Sequence, residues 1–172
     1  MPTRKIARKV EPMPPEPILD ATPEEIDQAI KECLIQDGDD RDTQRRKRHD
    51  GFGGNCAALA VVLNRVFGGE GDYLVVAGEH YEYADHVGVV LHGQVFDGNG
   101  MQTQEEFTER WCDEDGDSEV EDFPDRTADG DSIRRMADKG CGFGNELDDE
   151  AVEVALRDAV ARMRTVASPG MR

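Results

Sequence analysis

Apolar residues fall at helical spacing in four stretches of the chain, with short extended runs between them. The first stretch opens with Thr22-Pro23-Glu24-Glu25, where Thr22 is a natural N-cap, proline takes the first helical position and Glu25 closes a capping box. It predicts a helix to about Leu34 with Ile26, Ala29, Ile30 and Cys33 on one face. The second runs from Cys56 to about Phe67. "DYLVVAG" (72–78) has the β-branched and aromatic content of a buried strand. "HVGVVLHGQVFDGNG" (86–100) reads as two short strands around a turn at His92-Gly93. The third helical stretch, 103–112, has its own capping box and places Phe107 and Trp111 four apart on one face. The fourth, from about Leu147 to Val166, lines Val152, Leu156, Ala159, Val160 and Met163 along one side.

The segments between are polar. Residues 1–21 carry five prolines and read as a tail, disordered or bound to a partner. "DGDDRDTQRRKRHD" (37–50) reads as a solvated charged loop. Residues 113–131 are acidic and punctuated by glycine and proline, with little to bury. Their alternating Asp113, Asp115 and Asp117 resemble a calcium loop, but Ser118 and Pro124 stand where that loop needs glycine and glutamate. The expected organisation is a core over 22–112, an acidic loop over 113–131 and a helical segment over 132–172, in the α+β class.

Charge narrows the partners. The formal net charge is −18, which argues against general nucleic-acid binding, a task that needs a basic face. Five of the 20 basic residues are lysine and the rest arginine. An acidic, lysine-poor surface suits a salt-loving source, because at molar salt the Debye length is only about 3 Å and like charges repel little. No window is apolar enough to span a membrane, and the N-terminus has no apolar signal core. A cytoplasmic protein is expected, or a virion protein if the source is viral. Cys33, Cys56, Cys112 and Cys141 show no zinc-type spacing, so neither metal nor cofactor is expected. A Cys/His metal site from Cys56, His80, His86 and His92 has no ligand spacing to support it.

The chemistry centres on "GFGGNCAALAVVLNRVFGG" (51–69). Cys56 begins the helix there, with Asn55 placed to cap it. A helix start favours an anion, hence thiolate over thiol, and thiolate is the nucleophile. A small buried hydrophobe is the competing reading. If His92-Gly93 is a two-residue turn, Asp97 lies opposite Gly88 and shares a face with His86. The acid can then orient the imidazole and stabilise its charged form. A turn one residue longer or shorter would put the two on opposite faces. Asn99, two residues on, is the alternative orienter. Gly88 is expected to leave an open, uncluttered cleft around them.

The order Cys56, His86, Asp97, with "GNCAALAVVL" for the helix and "HVGVVLHGQVFDGNG" for the strands, resembles the papain-like cysteine peptidase superfamily. It is most similar to small uncharacterised members from tailed viruses and their prokaryotic hosts. "DHVGVVL" is similar to the histidine strand of the NlpC/P60 hydrolases. The likeness covers about Gly51 to Trp111. It implies a nucleophile helix packed on a small antiparallel sheet, here with extra helices at both ends. It also implies a cysteine-dependent hydrolase of peptide, isopeptide or side-chain amide bonds, with a peptide or protein as substrate. There are departures. Asn55 stands where NlpC/P60 members usually have aspartate, and Asp50 stands where papain has its oxyanion glutamine, leaving Asn55, Gln44 or Gln94 as candidate helpers. The other class of function is a non-catalytic structural or adaptor protein, such as a virion component, assembling through its tails.

The charge gives the first testable outcome. The melting temperature should rise steadily from dilute buffer to about 2 M KCl as self-repulsion is screened. A flat or falling trend would count against a halophilic source.

Overall fold

The computed structural model describes residues 15–34, 56–68, 72–77, 84–111, 119–123, 133 and 148–167. Helix α1 spans Pro23–Leu34. Its predicted capping box is formed: the Thr22 N–H donates to Glu25 Oε2 at 2.9 Å and the Glu25 N–H to Thr22 Oγ1 at 3.2 Å. Helix α2 spans Cys56–Leu63 and is apolar on every side, so it lies inside the molecule. The chain continues as a π-helical turn over Asn64–Gly68, where an ordinary helical end is expected. The wider turn buries consecutive Val66 and Phe67, while the Asn64 side-chain amide donates to the Tyr73 hydroxyl at 2.9 Å. Strands β1 (Asp72–Ala77), β2 (Ala84–Leu91), β3 (Gln94–Asp97) and β4 (Gly100–Gln102) follow. Then come helix α3 (Gln104–Trp111), strand β5 (Glu119–Phe123) and helix α4 (Asp149–Ala167).

The fold is α+β: one antiparallel sheet in the order β4-β3-β2-β1-β5, with helices on both faces. Side chains alternate across a sheet. Tyr73, Val75, Val87, Val89, Leu91 and Phe96 therefore join α1, α2 and α4 in the main core. Leu74, Val76 and Val95 face the other way, under Phe107 of α3.

Two expectations change, for the acidic loop and for the tail. Glu119–Phe123, within the stretch expected to be an acidic loop, pairs with β1 along its whole length. Ile133, from the segment beyond it, is fully buried in the main core. Residues 15–21, expected to belong to a tail, are fastened down. The Ile18 N–H donates to the Val66 carbonyl at 2.6 Å, Arg157 donates to the carbonyls of Pro15 and Glu16, and Ala21 is buried. An arginine that serves backbone carbonyls gives a proline-rich segment the partners it cannot find in a helix or sheet. Glu153 on α4 sits between Arg157 and Arg65 and pairs with both (Arg65 Nε to Glu153 Oε2, 2.9 Å).

Gly88 shows how α3 seats on the sheet. A Cβ there would stand 2.8 Å from Val95 Cγ1 and 2.9 Å from Phe107 Cε2. Gly88→Ala should therefore cost about 1–3 kcal/mol, as overpacking does, and should lift α3 off the sheet. The single tryptophan lies on that helix, so a red-shifted emission together with a lowered melting temperature is the expected reading. A variant that melts and emits like the parent would contradict this seating.

Candidate functional site

The hairpin places the histidine and the acid. His92 (φ 52°) and Gly93 (φ 75°) both adopt the left-handed conformation, as a two-residue turn joining twisted strands requires. The register is Leu91 with Gln94, Val90 with Val95 and Val89 with Phe96. One step further sets Gly88 opposite Asp97, so His86 and Asp97 share a face, as the turn length predicts. His86 Nε2 lies 2.9 Å from Asp97 Oδ2. A carboxylate accepts only, so Nε2 carries the proton. The Cys56 side chain lies close enough to the imidazole to raise its pKa. With Nε2 committed to Asp97, Nδ1 is the nitrogen left for the thiol. The three residues read from the sequence are thus brought together, with His86 in the middle.

All three are buried: Cys56 is 4% exposed, His86 3% and Asp97 1%. The open cleft expected from the sequence is closed by α3. Trp111 stacks on the His86 ring (centroids 3.7 Å apart, planes 18° apart) and Phe107 lies beside it at 5.7 Å. Gly88 does not leave the surface bare; it leaves room for Phe107. The sequence signal for this roof was present in the four-residue spacing of the two aromatics. Four helical residues rise about 6 Å and two strand residues about 6.8 Å. Phe107 can therefore sit on Gly88 while Trp111 sits on His86.

Asn99 takes another role than orienting the imidazole. Its N–H donates to Asp97 Oδ1 at 2.7 Å and its side-chain amide to Asp97 Oδ2 at 3.4 Å. Asn99 therefore holds the acid that holds the histidine. Gln94 is no helper. It pairs with Leu91 at the turn end of the hairpin, five residues along β2 from His86, roughly 17 Å at strand spacing. His92 is exposed at the same turn. Asn55, Gln44 and His80 lie outside the described residues, as do Asp113, Asp115 and Asp117. Gln102 is buried on this face with no hydrogen-bond partner for its side-chain amide among the described residues, and a lone glutamine carries no sequence signal for such a place.

Burial alone would pull the His86 pKa down. The hydrogen bonds to Asp97 and Cys56, and the charges of both, outweigh it and push the imidazole up to about 9. Burial likewise opposes the Asp97 charge, yet the His86 hydrogen bond and charge, with the Asn99 N–H, hold its carboxyl below the usual range. The consequences for stability have opposite signs. The histidine's contribution is complete below its ordinary value of 6.5 and is lost as pH rises through about 9. The aspartate's contribution is present at neutral pH and is lost as pH falls through its depressed pKa.

Tryptophan emission should report this directly, because a protonated imidazole stacked on indole quenches it. Emission should climb with a midpoint near 9, the pKa of His86. In Asp97→Asn the midpoint should fall, since burial then meets less opposition, and stability near pH 8 should drop with it. A parent midpoint at or below 6.5, the ordinary histidine value, would refute the charged pair.

In comparisons with known proteins, no family model, no curated protein and no solved structure matches the chain.

Proposed function

We propose that the protein is a cysteine-dependent hydrolase of the papain-like kind, acting on a peptide, isopeptide or side-chain amide bond. One observation carries this reading: a buried imidazole bonded to a carboxylate, with a cysteine at the first position of a helix close enough to shift its pKa. That is the nucleophile–base–orienter constellation. With the His86 pKa near 9, the histidine already holds the proton at neutral pH, beside the Cys56 sulfur.

In the reaction the Cys56 sulfur attacks the substrate carbonyl carbon and the carbonyl oxygen takes the negative charge. The Cys56 backbone N–H, at the start of α2 and free of any intrahelical acceptor, is placed to donate to that oxygen. The His86 proton then passes to the leaving nitrogen, the amine departs and a thioester remains. Water attacks the thioester and gives its proton to His86; the C–S bond breaks, and acid and ion pair are restored. Asp97 keeps the imidazole oriented and compensates its charge throughout. The acceptor in the second step decides between hydrolase and transferase, and water is the simplest acceptor.

The burial of Cys56 favours a second reading, a non-catalytic scaffold in which the thiol is only packed. Labelling separates the two. Cys56 should react with iodoacetamide near neutral pH well before Cys33, whose thiol burial pushes up to about 11. Cys56→Ala should abolish turnover of a thioester or amide probe, and His86→Ala should cost about as much because the two act as a unit. Asp97→Asn should lose less. A parent in which Cys56 never labels, with Cys56→Ala melting about 1 kcal/mol below it as ordinary core truncation does, would establish the scaffold.

A further inference from the structure

Gln102 ends β4, and the pairings Val95 with Gln102 and Asp97 with Gly100 put it on the Asp97 face, one diagonal step away. A glutamine side chain spans that step. It is 5% exposed, and neither Oε1 nor Nε2 has a hydrogen-bond partner among the described residues. Its surroundings on this face are apolar: Leu74, Val76, Val95 and Phe107, with Val90 and Trp111 at the margin. Leucine would fill such a place without stranding a polar group, and a stranded buried donor or acceptor costs about 1–3 kcal/mol. A residue that costs stability where an apolar one would serve is expected at a working site.

We propose that Gln102 is a positioning residue, whose carboxamide fixes Asp97 as the ionised orienter of His86 from the β4 side while Asn99 holds it from the turn. The Asp97 carboxylate takes His86 on Oδ2 and the Asn99 N–H on Oδ1, and the Gln102 amide dipole lies alongside. Its amide favours the charged carboxylate while stopping short of a formed hydrogen bond in this resting arrangement. That leaves it free to close on Asp97 when the imidazole proton is given to the leaving group and the carboxylate loses its cation.

The titrating groups on the face are Asp97 and His86, with Cys56 beside His86. Asp72 stands exposed at the far end of β1, and Glu105, Glu106, Glu109 and Arg110 of α3 are exposed. None of these is placed to stand in for the amide.

The test is an acid titration of the His86 ring nitrogens by NMR in the full-length protein, which reads proton uptake by Asp97 without requiring activity. In Gln102→Leu, uptake should move to higher pH, because the amide that favours the charged carboxylate is gone. The melting temperature should hold or rise as the stranded amide disappears. Gln102→Glu keeps the shape and sets a second carboxyl beside the first, so uptake should move up further as two buried acids contest one proton. If both variants titrate like the parent, the inference is overturned whatever their melting temperatures. The proposal rests on the hydrolase reading, yet the two fail separately. A parent whose Cys56 never alkylates ends that reading, while the ring titration still decides whether Gln102 governs Asp97.

Discussion

The buried pair of His86 and Asp97 is the constraint around which the rest of the molecule is arranged. A charge taken out of water is costly unless it is paired and hydrogen-bonded. Here the carboxylate receives the imidazole and the Asn99 N–H, and the imidazole is bonded to the carboxylate with Cys56 close by. Nothing in that set tolerates a slip. The two-residue turn at His92-Gly93 sets the strand register, Gly88 admits Phe107, and Trp111 then covers the imidazole. Hairpin, glycine and helix α3 are three answers to one electrostatic problem.

The parts that local chemistry dictates were legible in the sequence. Thr22 with Glu25 and Thr103 with Glu106 are capping boxes in the chain and in the fold. The hairpin turn sets which side of the sheet each residue faces, and so puts His86 and Asp97 on one face. What escaped depends on distant parts. Gly100–Gln102 is too short to carry a period, and it becomes a strand only because β3 is there to pair with it. Glu119–Phe123 is dominated by acids, and its strand is supplied by the free edge of β1. The π-turn at Asn64 follows from burying two neighbouring side chains at once, a demand of the core and not of the segment. Gln102 escaped because one glutamine carries no pattern.

The preference for arginine has a structural use beside its bearing on salt. The Arg164 guanidinium holds both oxygens of Glu25 (2.9 and 3.0 Å) and also reaches Asp20. Glu25 is at the same time the acid of the α1 capping box, so one carboxylate joins the start of α1 to the end of α4. Arg157 binds Glu153 and two backbone carbonyls together. A lysine offers one point charge and could not make either fork. Arginines in a very acidic chain thus act as fasteners between segments far apart in sequence.

The two borders of the sheet are guarded unequally. At β4 the Met101 N–H is taken by Asp27 Oδ1 of α1, and a side chain on Gly100 would run into that same aspartate. This border is shut by a neighbouring helix. At the opposite border β5 comes last in the sheet, and its sequence, "EVEDF", is mostly carboxylates. A strand so rich in acidic residues is a poor partner for a strand of another copy, a composition that discourages strand-to-strand aggregation. That guard is electrostatic, so it weakens as salt rises. Conditions that relieve repulsion within one molecule also lower the barrier between two, so colloidal stability and fold stability respond to salt in opposite directions.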